Sequence, residues 1–573
     1  MDFTYYFNKK IKVIVCWIFL ALLIIIGRLF YLQIIQMDTF FLRGLKNFLK
    51  NEPIASPRGN ILDCNGILLA TNRPITSIYW KGSGTKNYPP NQLAIMQQLA
   101  LLLEIPVEQI IQTEKTGSTL VIVPDATFSQ LSKIIELFPN NPNIIFSNHF
   151  KRYYPFQKMA SHVLGHLSSI STLEPIGKMG LEKILHDQLQ GKQGKIIKTI
   201  NSLGVKIKEN EITAALAGKD IITTIDCCLQ QIAESVFSNE YNGAFILMDP
   251  ETGALRALLS RPNFDPTMFL NHISTNEWNE LKEKNIFLNR ALYACYPPAS
   301  TFKLITISAA LENNIITMHD DIYCPGYFRF KGRYYYCDRR SGHGKLSIKD
   351  ALAKSCNILF YQVATKLPID VLADYAFRFG LGQKLNIIMP EQEGLVPTTS
   401  WKRQEKGEPW WPGETLSCAI GQSYLKVTPL QIACMISSIF QGYLVKPRIL
   451  EHEPITINKP LQILPSTRKF LQKSMKSVVR IGTGREVSHI EDITVFAKTG
   501  TAQVTALKQQ SNSYFTLPHA WFIAYFNYKD HKPLTLVILL EHSRNTQPAK
   551  RIAKNFLMHY RSYMSKKNQK LPK

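Results

Sequence analysis

The sequence predicts a membrane-anchored chain of mixed α/β (α+β) class, with an antiparallel sheet flanked by helices at its centre and a separate strand-and-helix region on the membrane side of it. Three observations predict this. A long uncharged apolar run stands close to the N-terminus, strand-pair signals lie at both ends of the region that begins near Gly218, and helical periodicity fills the middle of that region.

The apolar run comes first. Val13 to Gly27 carries no charge, and after Arg28 the apolar character resumes as LFYLQII, so residues 13–35 read as one transmembrane helix of the roughly 20 residues a bilayer requires. Arg28 can reach an interface furnished with Trp17, Phe30 and Tyr31. A cleaved signal peptide is the competing reading. The run is longer than an h-region of about 7–15 residues, and no small-x-small cleavage site follows it. Lys9, Lys10 and Lys12 place residues 1–12 in the cytoplasm, although Arg43, Lys46 and Lys50 reduce the contrast across the span.

With 573 residues and 45% hydrophobic content, the chain can bury several domain cores. Its net charge of +24 suits an anionic partner, such as a nucleic acid, an acidic membrane surface or a polyanionic cell-wall substrate. The basic residues are dispersed, and no zinc-finger, RRM or helix-turn-helix pattern is present, which argues against nucleic acid. The basic tail 561–573, with Lys566, Lys567, Lys570 and Lys573, reads as a solvated end. The ten cysteines do not read as a disulfide framework: Cys16 is in the apolar span, Cys227 and Cys228 are adjacent, and Cys324, Cys337 and Cys356 bunch around His343.

Residues 51–216 form the first soluble region. Ser56-Pro57-Arg58-Gly59 and Asp63-Cys64-Asn65-Gly66 are turns around the short runs NIL and ILLA, which predicts an extended hairpin. Between about Pro89 and Phe146, NQLAIMQQLALLL and TFSQLSKIIELF predict helices of a small inserted subdomain. Residues 218–560 form the second region. GAFILMDPETGALRALLS is a hairpin around Pro250-Glu251-Thr252-Gly253, HAWFIAYFNY and PLTLVILLEH pair around Lys529-Asp530-His531-Lys532, and VFAKTGTAQV is a further strand. Helical patterns between them are FKLITISAALENN, IKDALAKSCNILFYQVATKL and TPLQIACMISSIF.

Ser300 and Lys303 in PPASTFK fall at the start of the first of these helices, one turn apart on one face. A serine hydroxyl needs a base to become a nucleophile, and a lysine whose pKa is lowered by burial or a neighbouring cation can serve. Ser-x-x-Lys alone is weak, since a capping serine beside a surface lysine looks the same. Ser355-Cys356-Asn357, in the second helical pattern, and Lys498-Thr499-Gly500, on a strand, change this reading, because three separated pieces can converge on one cleft. Ser355 can relay a proton to a leaving amine, and Asn357 can hold Lys303 and a substrate amide. Lys498 can meet a substrate carboxylate, Gly500 admits an extended peptide, and the backbone N–H groups of Ser300 and Thr501 can form an oxyanion hole. His519, Glu414 and Gly421-Gln422 read as structural.

Ser-x-x-Lys, Ser-x-Asn and Lys-Thr-Gly in this order are the motifs of penicillin-binding proteins and class A β-lactamases. Together with SPRGNILDCNGILLATN, RYYPFQKMASHVLGH, GLEKILHDQLQGKQG, YPPASTFK and GETLSCAIGQSYLKVTPLQIA, they make nearly the whole chain resemble the class B penicillin-binding proteins of the elongation type. The resemblance implies a transpeptidase domain of β-lactamase-like fold at 218–560 on an elongated dimerisation or pedestal domain at 51–216. It implies a serine-type peptidoglycan D,D-transpeptidase that forms an acyl-enzyme at Ser300 on D-Ala-D-Ala stem peptides during cell elongation and is inhibited covalently by β-lactams. It also implies location at the inner membrane with the catalytic domain in the periplasm, and a RodA-type glycosyltransferase as partner. A β-lactamase or β-lactam sensor would not need residues 51–216, and a catalytically silent scaffold would not need the three motifs. Ala299 departs from the family, which has Gly there, and puts the turn before Ser300 in question.

Cys324, Cys337, His343 and Cys356 can make a closed tetrahedral zinc site, although their spacing is not that of a finger or ribbon, and buried free cysteines or a disulfide fit it as well. The resemblance favours structural zinc, since elongation-type relatives hold one in this stretch, with Asp338 as the rival ligand.

Overall fold

The protein is described here in a computed structural model, over residues 3–85, 87–139, 141–168, 175–200, 206–270, 273–504 and 514–570. The chain divides into two compact units that are interleaved in sequence. Met1–Arg58, Pro74–Phe150 and Gln190–Gly218 form one, while Gly59–Arg73, Lys151–Leu189 and Lys219–Lys573 form the other.

In the smaller unit the helix Phe3–Phe30 continues through a single π-helical turn, Tyr31–Ile35. The stretch Lys10–Ile35 is, among the described residues, the one helix long and apolar enough to cross a membrane. Its 26 residues reach about 39 Å at 1.5 Å each, against about 30 Å of hydrocarbon. Arg28 lies over the Tyr31 ring, 5.3 Å from its centroid. Strands Leu49–Ile54, Gly194–Ile200 and Lys206–Thr213 form an antiparallel sheet. The inserted subdomain packs helices Pro90–Leu103, Val107–Thr116 and Phe128–Leu137 around Ile78, Trp80, Met96, Leu99, Ile110 and Ile134. Thr127 starts the last of these with a capping box to Gln130, and the buried Trp80 indole donates to Glu114 Oε2 at 2.9 Å.

In the larger unit the expected hairpin forms, with Ile61 opposite Ala70, and Ile221 adds to it as a parallel neighbour. A buried ion pair of Arg152 and Glu182 at 2.7 Å, with Arg152 also donating to the Gly59 carbonyl, ties segment 151–189 to segment 59–73. The strands used below are β1 (Gly243–Met248), β2 (Leu255–Arg261), β3 (Asp321–Cys324), β4 (Tyr327–Phe330), β5 (Arg333–Tyr336), β6 (Gly344–Ser347), β7 (Ile493–Ala502), β8 (His519–Tyr528) and β9 (Leu534–Leu540). The helices are α1 (Cys227–Val236), α2 (Lys303–Glu312), α3 (Ile348–Ala353), α4 (Asn357–Ala364), α5 (Pro412–Ala419), α6 (Pro429–Gln441) and α7 (Gln547–Lys570).

The central sheet is antiparallel in the order β2-β1-β9-β8-β7, so strands from both ends of the region meet and β7 lies at an edge. Every residue of β1 and β9 is buried, because helices cover both faces. Ala244, Ile246, Met248, Trp521 and Val537 face a core shared with Leu304, Ile305, Ile432 and Ile436 of α2 and α6. Phe245, Leu247, Phe522, Phe526 and Ile538 face a second core with Leu229, Ala233, Ile552 and Phe556 of α1 and α7. Each buried Val, Leu, Ile, Phe or Met side chain among these contributes about 1.5–3 kcal/mol relative to exposure.

Helix α7 runs to Lys570, with Tyr560, Tyr563 and Met564 packed on the second core and Lys566 and Lys567 exposed beyond them, while residues 571–573 lie outside the described residues. One expectation is corrected: the pattern IKDALAKSCNILFYQVATKL is not one helix. α3 stops at Ala353 and α4 begins at Asn357, with Ser355 between them in the left-handed region at φ 56°.

Candidate active site

The turn that carries Ser300 is held from three sides. Ser300, half-buried, sits in a short 3-10 turn, Ala299–Thr301, immediately before α2. Ala299 has φ 51°, a conformation that favours glycine, and is fully buried. Its N–H donates to the Gly421 carbonyl at 2.8 Å, and a Cβ at Gly421 would stand 2.0 Å from the Ala299 oxygen. Gly421 is therefore required by the close approach of two backbones. The Trp521 indole donates to the Pro297 carbonyl at 2.9 Å, and Thr301 Oγ1 to that of Pro298 at 2.6 Å. A Cβ at Gly500 would meet Thr301 Cγ2 at 3.3 Å, so β7 lies against the same turn.

Around this turn the three motifs converge. Lys303 Nζ donates to the Ser355 carbonyl at 2.8 Å and to Asn357 Oδ1 at 2.7 Å, and lies 3.2 Å from Ser355 Oγ. Lys498 Nζ donates to Ser355 Oγ at 3.0 Å and to the Thr499 carbonyl at 3.0 Å. Both lysines thus share the Ser355 hydroxyl. The helix break explains how: the left-handed turn at Ser355 gives the lysines both its hydroxyl and its carbonyl, which a continued helix would have kept for itself.

Both ammonium groups are fully buried, and among the described residues neither forms an ion pair with a carboxylate. Burial lowers the Lys303 pKa to about 8 against opposing contributions from Cys356, Cys337 and Asp338. Burial, and then the charge of Lys303, hold Lys498 well below the ordinary lysine range. Thr499 bonds through its hydroxyl to Thr483 Oγ1 at 2.6 Å, whereas Thr501 is exposed on the edge strand and its carbonyl accepts from Gln422 Nε2 at 3.3 Å.

The sequence reading missed Gly421, Gln422 and Thr483 as parts of this site. Thr483 has no signal of its own, but Gly421 and Gln422 lie within GETLSCAIGQSYLKVTPLQIA, which carried part of the resemblance. Glu414 bonds the buried Lys402 at 2.5 Å and accepts from the Trp411 N–H at the start of α5, and His519 is a buried histidine whose Nδ1 accepts from the His542 N–H.

The fourth assembly is the cysteine cluster. The ligand atoms of Cys324, Cys337, His343 and Cys356 lie within 4.8 Å of one another, brought together by β3, the end of β5, the loop before β6 and the first turn of α4. Cys324 and Cys337 Sγ are each 3.5 Å from His343 Nδ1, and Cys337 Sγ is 3.9 Å from Cys356 Sγ. A tetrahedral ion with bonds of about 2.1–2.3 Å has ligand-to-ligand edges of roughly 3.5–3.8 Å, so the set fits zinc in both donor chemistry and spacing. Asp338 is not in the cluster. The ten cysteines are free thiols, and the Asn357 N–H donates to Cys337 Sγ at 3.4 Å, which joins the cluster to the residue that holds Lys303.

Comparison with known proteins places this arrangement. A peptidoglycan D,D-transpeptidase MrdA from Haemophilus influenzae is 29% identical over 603 residues, which cover 97% of this chain and 91% of the relative. The penicillin-binding protein PBP2 of Helicobacter pylori, solved in complex with MreC, superposes with a TM-score of 0.78 at 26% identity, over 91% of this chain and 100% of that one. A chain of a peptidoglycan synthase complex, solved in a study of how polymerization and crosslinking are coordinated, matches at 28% identity with a TM-score of 0.75, over 96% of this chain and 98% of its own length. A family model for the penicillin-binding protein dimerisation domain matches residues 53–223, and one for the penicillin binding protein transpeptidase domain matches residues 243–558. The chain belongs to the penicillin-binding protein transpeptidase family.

Proposed function

We propose that the chain is a peptidoglycan D,D-transpeptidase of the elongation type, with Ser300 as nucleophile and Lys303 as its base. One observation carries the assignment of roles: two lysines and one serine hydroxyl meet in a buried site where, among the described residues, no carboxylate pairs with either lysine.

The chemistry follows from the hydrogen bonds. As a neutral amine, Lys303 directs its two N–H bonds to the Ser355 carbonyl and Asn357 Oδ1, which leaves its lone pair for a hydroxyl proton. Ser300 Oγ attacks the carbonyl of the penultimate D-alanine, its proton passes to Lys303, and the oxyanion is met by the backbone N–H groups of Ser300 and Thr501. When the C–N bond breaks, Ser355 gives its proton to the departing D-alanine amine and regains one from Lys303. The amine of a second stem peptide then attacks the Ser300 ester, and the same groups run in reverse. Lys498, with Thr499, Gly500 and Thr501 along β7, receives the peptide and its terminal carboxylate. A β-lactam enters the same path and remains as the Ser300 ester.

The cysteine set Cys324, Cys337, His343 and Cys356 would hold zinc as a structural brace that secures Cys356 between Ser355 and Asn357, away from the substrate. The apolar helix supports a single-pass anchor, and the lysines before it support an inner-membrane protein with the catalytic unit in the periplasm. Relatives solved with MreC and within a peptidoglycan synthase complex support assembly with a membrane polymerase of the RodA type.

Fluorescent penicillin tests the assignment. The intact chain is expected to form a stable adduct that Ser300→Ala abolishes, and to cross-link a stem peptide; rapid release of the adduct would indicate a lactamase, and no adduct a scaffold. For zinc, elemental analysis is expected to find one ion per chain and a chelator to lower Tm; an ion-free chain with unchanged Tm and acylation would refute it.

A further inference from the structure

The hairpin of β4 and β5 has two unlike faces. Inward, Phe328 and Tyr335 lie against Tyr361 of α4, with ring centroids 6.3 Å and 5.4 Å away. Outward, Tyr327, Arg329, Tyr334 and Tyr336 are exposed, with Tyr327 opposite Tyr336 and Arg329 opposite Tyr334. The outer tyrosines are 47–53% exposed, so large ring faces stand in water. They are ordered among themselves: Tyr327 and Tyr334 meet edge to face at 5.7 Å, Tyr334 and Tyr336 are stacked at 6.4 Å, and the Arg340 guanidinium lies 3.9 Å from the centre of the Tyr336 ring.

Charge is equally one-sided. From Tyr327 to Arg340 the chain carries Arg329, Lys331, Arg333, Arg339 and Arg340 against Asp338 alone. The platform also begins at the rim of the cleft, since the Tyr336 carbonyl accepts from Asn357 Nδ2 at 3.2 Å, and the other end of that same amide holds Lys303.

We propose that this outer face is a docking platform for the peptidoglycan polymer beyond the reacting peptide, a glycan strand bearing anionic stem peptides. The inference rests on the transpeptidase reading, which supplies a polyanionic substrate. Flat phenol faces match the C–H faces of pyranose rings, and the guanidinium groups match the carboxylates that stem peptides carry along the strand. A small β-lactam or free pentapeptide reaches Ser300 without touching this face.

The test compares a small acylating agent with the polymer, using the full-length chain in detergent. Tyr327→Ala/Tyr334→Ala removes the rings, and Arg329→Glu/Arg340→Glu reverses two exposed charges of the outer face, one of them the guanidinium on the Tyr336 ring, without altering the packed inner face. Both variants are expected to take fluorescent penicillin at the rate of the unaltered chain while retention on insoluble peptidoglycan sacculi falls roughly tenfold or more. Unchanged retention in a variant that still takes penicillin would overturn the proposal. If the tyrosine variant fails to fold, and so fails to label, the charge variant decides alone. Retention on phosphatidylglycerol vesicles that matches retention on sacculi, and is lost in the same variants, would also overturn it, in favour of a membrane-facing surface. If the unaltered chain takes no penicillin, the transpeptidase reading fails instead, and sacculus retention of the same variants still decides whether the platform exists.

Discussion

Lys402 and Lys303 are both closed off from solvent within one unit, yet their pKa values are shifted in opposite directions. Lys402 lies among Trp410, Trp411 and Tyr424, and although burial alone would lower its pKa, the hydrogen bond and charge of Glu414 raise it above the ordinary value. Lys303 has an amide oxygen, a carbonyl and a hydroxyl for neighbours, no paired carboxylate among the described residues, and a second lysine on the far side of that hydroxyl. The difference teaches that burial does not decide whether a lysine is a brace or a base; the presence of a carboxylate does.

The largest effect that tests this contrast comes from removing each amine. Lys303→Met should reduce the penicillin acylation rate about a thousandfold or more while the protein stays folded. Lys402→Met should leave acylation within about threefold and lower Tm, because Glu414 loses the buried ammonium it is paired with. If the two variants behave alike in stopped-flow acylation and thermal melts, the distinction is wrong.

The pH profile comes next. With Lys303 near 8 in the folded chain, the acylation rate should rise about tenfold per pH unit below 8 and level off above it. The same group binds more protons unfolded, where its pKa is about 10.5, than folded, so its contribution to stability should grow as pH rises from 8 to 10.5 and be least favourable below 8. A profile that is flat between pH 6 and 9 would remove Lys303 from the role of base.

The smallest effect concerns the turn itself. Ala299→Gly relieves a left-handed alanine at φ 51° and should stabilise the chain by about 1 kcal/mol, measured by denaturant unfolding, with acylation unchanged. A loss of stability would show that the Ala299 methyl packs better than its backbone conformation suggests.

Much of this site is legible in the one-dimensional chain because each motif marks the end of an element. Ser300 precedes a helical period, and Lys498 lies in an alternating strand pattern, so their elements follow from local rules. The segment 348–367 misleads for the same reason. Its apolar periodicity continues through Ser355, and only the two lysines that take up the Ser355 hydroxyl and carbonyl show why the helix breaks there. Gly421 was likewise read as local packing, since its partner Ala299 lies more than a hundred residues away.

By itself, then, the sequence determined the N-terminal apolar helix, the antiparallel strands from both ends of the larger unit, and the three short motifs that carry Ser300, Ser355 and Lys498, because periodicity and side-chain chemistry are local properties. Only the tertiary structure decided which lysine has no paired carboxylate among the described residues, that one hydroxyl serves two amines, and that three thiols and an imidazole meet within 4.8 Å of one another. Those facts depend on contacts between distant segments, and burial and distance are what set a pKa and shape a site for a metal.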